Sequence, residues 1–190
     1  MRPAAEAEDD ELVARAQRGD GRAFAELAVR FAPDIRRILR TVLRDDDTED
    51  LEQEVLVALF RGLRHFSGRA SFSTYLYRLC KNKAVDALRA RDRRRRLRTL
   101  MFSEAASSGG SRQEDDPATA ALRREDALAC AAALKKLKGE ERALLLLKDV
   151  EGLGIDELAV IFGLPPGTVK SRLHRLRDRV VSIMEEAYGS

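Results

Sequence analysis

Two cysteines and two histidines are all that this 190-residue chain has of the side chains that most often hold metals or build disulfide frameworks. Cys80 and Cys130 each sit in an apolar helical pattern, where a lone thiol packs as a small core residue, and two thiols make no disulfide scaffold. His65 and His174 are far apart, and neither has a His or Cys neighbour at ligand spacing, so no metal site is expected. No apolar run approaches the roughly 20 residues that span a bilayer. The start of the chain, Met1 to Glu11, is acidic and lacks the apolar segment of a signal peptide. Membrane insertion is therefore not expected, and the location expected is cytoplasmic. Strand-like alternation is also scarce, and no Gly-rich phosphate loop stands between a strand and a helix. With no catalytic constellation in view, the chain reads as a non-enzyme that needs no cofactor.

What is plentiful is charge, and it is segregated. Lys and Arg number 35 against 32 Asp and Glu, for a net charge of +3. That balance hides an acidic stretch and a basic one. Asp45, Asp46, Asp47, Glu49, Asp50, Glu52 and Glu54 crowd one segment, and residues 89–98 hold seven arginines against Asp92 alone. Two opposed surfaces imply two different partners.

Helical periodicity runs from Asp9 to about Arg98, with breaks expected at Gly19–Asp20, near Pro33, at Asp45–Asp47 and at Ser67–Ser71. Asp47 or Thr48 can cap the helix that opens Glu-Asp-Leu-Glu-Gln-Glu-Val. Its inward stripe is Leu51, Val55, Leu59 and Leu63, while Asp50, Gln53 and Glu54 project elsewhere. The next helix opens near Ser71 and runs through Tyr75, Leu79, Ala84 and Leu88 into the arginine block. Residues 99–121 are Ser- and Gly-rich, with Glu104, Glu114, Asp115 and Asp116 against Arg112, too polar to repay ordering. Periodicity resumes near Leu122, with Leu128, Ala132, Leu134 and Leu137. The expected architecture is all-α: a helical domain over 1–98, a flexible acidic linker over 99–121, and a second helical domain over 122–190 that ends in a helix-turn-helix.

The helix-turn-helix is the sharpest signal. Ile155, Leu158, Ala159 and Phe162 repeat at helical spacing, and Gly163 ends that helix. Pro165 and Pro166 suit the first turn of the next, where no intrahelical partner waits for an N–H. In the second helix Val169, Leu173, Leu176, Val180 and Ile183 form an apolar stripe, with Lys170, Ser171, His174 and Arg175 off it. Such a helix packs by one face and can enter a DNA major groove by the other. A solvated helix of an ordinary bundle has the same pattern.

In the first half, the run from Phe66 to Asp86 gathers aromatics, Asn82 and bases beside a short Gly-containing loop. Aromatics stack on unpaired bases, Asn bonds a base edge, and Lys or Arg holds phosphate. Taken singly, Phe66, Phe72 and Tyr75 read as core.

Together these blocks resemble the sigma factors of bacterial RNA polymerase, in the two-domain extracytoplasmic-function group of the sigma-70 family. Glu49–Val55 resembles the helix that docks on the polymerase clamp, Phe66–Arg94 the segment that melts and reads the −10 element, and Gly154–Val180 the domain that reads the −35 element. The likeness implies that Asp50, Gln53 and Glu54 bind core polymerase. It implies that Arg61, Arg69, Ser71, Phe72, Tyr75, Tyr77, Asn82, Lys83, Asp86 and Arg89 serve −10 recognition and melting. It further implies that Thr168, Lys170, Ser171, Arg172, His174 and Arg175 meet the −35 element. Tyr75 stands where the family often has Trp, Cys80 replaces a small residue, and Leu176 sits where Ala is common. The partners implied are the clamp and flap of core RNA polymerase, promoter DNA as duplex and as melted non-template strand, and an anti-sigma factor. Two other readings remain open on residues alone: a dimeric helix-turn-helix regulator acting without polymerase, and a helical adaptor that ignores DNA.

Overall fold

The computed structural model describes residues 3–44, 48–101 and 117–188. It has eight helices and no strand among them: α1 (Pro3–Gln17), α2 (Gly21–Leu43), α3 (Glu49–Leu63), α4 (Phe72–Met101), α5 (Pro117–Lys136), α6 (Gly139–Asp149), α7 (Ile155–Phe162) and α8 (Pro166–Tyr188). The fold is all-α, with α1–α4 forming one helical domain and α5–α8 the other. The acidic stretch 102–116, the greater part of the expected linker, lies outside the described residues, as do Asp45–Asp47. Residues 99–101 belong to α4 and 117–121 to α5. None of the helices described is long and apolar enough to cross a membrane.

α2 is the spine of the first domain. Asp20 caps it, accepting from the Arg22 and Ala23 amides at 2.9 and 3.1 Å. The Arg15 guanidinium, 2.7 Å from the same carboxylate, holds Asp20 below its ordinary pKa, helped by the Ala23 amide. The break expected near Pro33 does not occur, because α2 runs straight through it. An interior proline costs about 3 kcal/mol. Here it sits exposed on the outer face, while eight buried side chains from Ala23 to Leu43 bury far more than that cost.

α3 follows the expected stripe, with Val55, Leu59 and Leu63 buried. Thr48 precedes it but makes no side-chain cap; its hydroxyl donates instead to Glu52 at 2.7 Å. Burial works to raise the Glu52 carboxyl, and the bonds from Arg36 and Thr48 outweigh it and hold the group below its ordinary value. In α4 the buried side is Phe72, Leu76, Cys80, Ala84, Val85 and Leu88, one face round from the Tyr75 and Leu79 of the expected stripe. The difference arises because α4 is covered by both domains. Of the expected periodicity, Leu128 and Ala132 of α5 are exposed, while Leu134 and, just past the helix, Leu137 are buried as expected, together with Ala133.

The two domains share one hydrophobic core. At Gly139 a Cβ would come within 3.3 Å of Leu88 Cβ, so α6 crosses α4 closely there. Lys81, buried in α4, sets its ammonium 5.0 Å from the centre of the Phe162 ring of α7. Burial pushes the Lys81 amine below its ordinary pKa, with Glu140 opposing. Between α6 and α7, the Glu151 side chain is only 2% exposed and pairs with the Arg37 guanidinium of α2. It also accepts from Thr41 Oγ1 at 2.7 Å and from the Tyr77 hydroxyl at 3.3 Å.

Candidate nucleic-acid interface

The helix-turn-helix is α7 and α8. Gly163 closes α7 with φ at 64°, a left-handed turn that suits glycine, and the Leu164 amide then bonds back to Ala159 at 3.0 Å. Pro165 accepts from the Val169 amide at 3.1 Å and so opens α8. Val169, Leu173 and Leu176 are buried, while Val180 is half-buried at the far end of the stripe. Lys170, Ser171, Arg172, His174 and Arg175 are all exposed, and Thr168 is half-buried. These six lie on two successive turns of α8. Ser171 donates to the Thr168 carbonyl at 3.1 Å, and Arg175 Nε to the Ser171 carbonyl at 3.2 Å. Both side chains thus lie along the helix. Farther on, Arg177 pairs with Asp149 and Arg179 with Glu141 at 3.2 Å, which fixes α8 against α6. The bases nearer the N-terminus of α8, Lys170, Arg172 and Arg175, are exposed and, among the described residues, make no ion pair to α6.

The second region is the loop between α3 and α4. Gly68, with φ at 68°, makes the turn that lets the loop reverse. Ser71 caps α4, its Oγ accepting from the Thr74 amide at 3.1 Å. Phe72 is 3% exposed and packs edge-on to Phe31 with centroids 4.9 Å apart. Of the residues singled out for the −10 element, Phe72 therefore supports the loop from beneath, while Ser71 is exposed and joins the loop to α4 through its cap. Tyr75 is half-buried, tilted against Phe66 at 5.0 Å, with the Arg78 guanidinium 5.6 Å from its ring. Arg61 and Arg69 are exposed beside the loop. Tyr77 points to the other domain, bonding Glu151 and accepting from Arg37 at 3.2 Å. Asn82, Asp86 and Arg89 are exposed along α4, and Arg89 reaches Glu140 of α6 at 3.3 Å.

Sequence reasoning passed over Gln17. Its side-chain amide donates to the Leu63 and Phe66 carbonyls at 3.0 and 2.7 Å, so α1 fixes the loop's entry. Nothing in its local pattern marks it, because the partners are 46 and 49 residues away. α1 and the loop enclose a cleft of about 560 Å³, with Asp10, Val13, Gln17, Phe66 and Arg69 among its walls.

On α3, Asp50, Gln53 and Glu54 are exposed on one face. That face continues into Val57 and Phe60, which are 47% and 59% exposed and were not singled out from sequence. Phe60 meets Phe24 edge-on at 5.0 Å. The i, i+3, i+4, i+7 spacing from Asp50 to Val57 was available as a signal, since it lies off the buried stripe. Lys83 of α4 reaches this face and pairs with Glu54 at 2.8 Å.

A second cleft, of about 750 Å³, runs between α4 and α8. Arg89 and Arg96 stand on one wall and Arg172, Arg175 and Arg179 on the other, with Glu140 and Glu141 between. Among the described residues, no group of three His, Cys, Asp or Glu side chains is placed to hold a metal.

Comparison with known proteins bears on both halves. Residues 27–94 match the family description "Sigma-70 region 2", and residues 128–180 match "Sigma-70, region 4". The chain is 32% identical over 177 residues to the RNA polymerase sigma-H factor of Pseudomonas aeruginosa, across 91% of this chain and 92% of that one. It is 32% identical over 175 residues to the ECF RNA polymerase sigma-E factor of Escherichia coli K12, across 90% and 92%. Among solved structures, CnrH in complex with the cytosolic domain of CnrY superimposes with a TM-score of 0.61 at 24% identity, over 94% of this chain and 98% of that one. The sigma factor RpoE in complex with the anti-sigma factor NepR, from Bartonella quintana, gives 0.59 at 21% identity, over 85% and 96%. At those identities the two structures speak to the fold.

Proposed function

The chain belongs to the extracytoplasmic-function group of the sigma-70 family, and from that premise we propose how its residues divide the work of a promoter-specific initiation factor. The observation that carries the reading is the presence of region 2 and region 4 in one chain, each with an exposed polar face on the helix the function needs. A dimeric operator-binding regulator accounts for α7 and α8 alone and leaves α3 and the 67–71 loop without a task.

Asp50, Gln53 and Glu54 dock on the clamp of core polymerase, and the exposed Val57 and Phe60 extend that contact with an apolar anchor. Lys170, Arg172 and Arg175 approach phosphates and base edges of the −35 duplex, with Ser171, His174 and Thr168 beside them. The loop from Ser67 to Ser71, with Arg61, Arg69 and Tyr75, traps an unpaired base of the −10 non-template strand. Asn82, Lys83, Asp86 and Arg89 follow the duplex upstream. Phe72 and Ser71 contribute by holding the loop's shape. The work is done by binding energy: capture of an unstacked base offsets an unstacking cost of a few kcal/mol, and no bond is made or broken.

Domain assignment follows the same division, with residues 1–98 serving the polymerase and the −10 element and 122–190 the −35 element. Elements about 25 base pairs apart span roughly 85 Å at about 3.4 Å per pair. Arg89 of the −10 set and Arg172 and Arg175 of the −35 set line one cleft between α4 and α8, so full promoter engagement requires the domains to part. The controlling partner proposed is an anti-sigma factor, the class of protein bound to the RpoE relative.

Run-off transcription on a pooled promoter library tests the reading. Specific initiation is expected only with this chain and bacterial core polymerase together. Duplex binding equally strong without polymerase, and no initiation with it, would overturn it.

A further inference from the structure

The cleft between α4 and α8 gathers six cations and three carboxylates on its lining. Glu140 accepts from Arg89 at 3.3 Å and Glu141 from Arg179 at 3.2 Å, so two of the acids are already engaged. Arg96, Lys138, Arg172 and Arg175 have no carboxylate partner among the described residues. Repulsion between cations held in one concavity is relieved when an anion enters, and a cleft lined by an excess of one sign concentrates such anions.

The charge is laid out in rows. Arg89 and Arg96 are seven residues apart on α4, and Arg172 and Arg179 seven apart on α8. Two helical turns separate the members of each pair, about 10 Å of rise, so each wall carries its charge along a line and not at a point. Glu140 and Glu141 of α6 stand between the walls. A compact anion meets one end of one row, whereas a chain of phosphates meets both. Guanidinium forks match phosphate oxygens two at a time. With the domains packed, the volume of about 750 Å³ falls within the roughly 300–1,000 Å³ of small-molecule sites. The buried Leu144 and Leu176 and the half-buried Phe162 add apolar lining.

We propose that this cleft is a binding site for an oligophosphate anion, which bridges α4 and α8 and holds the two domains together. Arg89, Arg172 and Arg175 are also side chains proposed to meet promoter DNA, so bound oligophosphate and promoter compete. The competition rests on that reading of the three arginines, and the binding itself does not.

Calorimetric titration of the full chain with tripolyphosphate, ATP and orthophosphate, at matched ionic strength, tests the binding. One site per chain is expected, with tripolyphosphate held at least roughly tenfold tighter than orthophosphate. ATP tighter than tripolyphosphate identifies a nucleotide as the source of the phosphates, and ATP no tighter identifies an inorganic chain. Arg96→Ala with Lys138→Ala removes two cations outside the set proposed to meet the promoter, and should weaken tripolyphosphate roughly tenfold. Arg96→Lys with Lys138→Arg keeps the charge and should keep most of the affinity. Promoter opening with core polymerase, assayed without nucleotides and at constant free magnesium, tests the competition. Tripolyphosphate should inhibit the wild-type chain several-fold more than the double alanine variant, while the two open promoters equally without it. Unchanged affinity in the alanine variant, or equal affinity for tripolyphosphate and orthophosphate, overturns the site. Equal inhibition of wild type and variant puts the anion on the polymerase and overturns the competition. If the wild-type chain opens no promoter even without the anion, the proposed function fails, and the calorimetry alone decides the site.

Discussion

Lys83 Nζ lies 2.8 Å from the Glu54 carboxylate, so a side chain proposed to meet promoter DNA is paired with one proposed to meet polymerase. Their side chains are 34% and 55% exposed, a setting in which an ion pair contributes under about 1 kcal/mol to stability. Its interest is competition. Docking of Glu54 on a basic clamp surface would release Lys83 toward phosphate. Glu54→Gln is expected to weaken core binding several-fold in a competition assay while leaving the melting temperature nearly unchanged. Lys83→Ala should leave core affinity alone and lower promoter opening. Equal losses of core affinity in both variants would show that the pair acts as one structural unit.

Lys170 and Arg175 are exposed on α8, Arg175 on the wall of the cleft facing α4, and Val169 and Leu173 of the same helix are buried. Lys170→Ala and Arg175→Ala should therefore leave folding and core binding intact and weaken use of promoters that depend on the −35 element. Loss of a phosphate contact lowers the slope of log affinity against log salt by about one, whereas loss of a base contact costs about 1–3 kcal/mol at one position. Salt titration of holoenzyme binding separates the two roles.

Glu151 is the most thoroughly buried acid for which an ion pair joins the two domains. Truncating it leaves Arg37, Thr41 and Tyr77 without their shared acceptor; Arg37 is half exposed and keeps Asp34 at 2.8 Å, so the loss falls mainly on the Thr41 and Tyr77 hydroxyls. The expected result of Glu151→Ala is separation of the domains before either unfolds, seen as a larger radius of gyration in small-angle scattering at unchanged helical content. An unchanged radius would mean that Leu88 against Gly139 and Phe162 over Lys81 hold the seam by themselves.

Burial pushes the Cys80 thiol up to about 12, and the residue is wholly enclosed. Cys130 is half-buried. Alkylation near pH 8 should label Cys130 and spare Cys80 in the folded chain. The folded state holds the Cys80 proton that the unfolded thiol, near 9.0, gives up. Stability should thus fall as pH climbs from about 9 toward 12, and Cys80→Ala should flatten that decline. Rapid labelling of Cys80 in the native protein would contradict its place in the core.

Much of this molecule was legible because its signals are local. The Gly163 turn, the Val169–Leu173–Leu176 stripe and the inward side of α3 depend on spacing within one or two helical turns, which the chain carries wherever it lies. Pro33 misled for the converse reason: a residue that breaks an isolated helix is tolerated in α2, where the packed face outweighs one lost hydrogen bond. The exposed face of α3 was read from its acids, but Phe60 was not, because only its neighbours decide whether a phenyl ring is core or surface.

Sequence by itself determined that the chain is helical, that it carries a helix-turn-helix, and that its opposed charges sit on separate segments. Tertiary structure alone decided which face of α4 is buried, that Gln17 holds a loop 49 residues away, and that a carboxylate on the α6–α7 turn is gripped by α2 and α4. The physical reason is range. Helical periodicity and caps are set by backbone hydrogen bonds four residues apart, whereas burial and charge pairing depend on which distant surfaces meet, and that is fixed only once the whole core has packed.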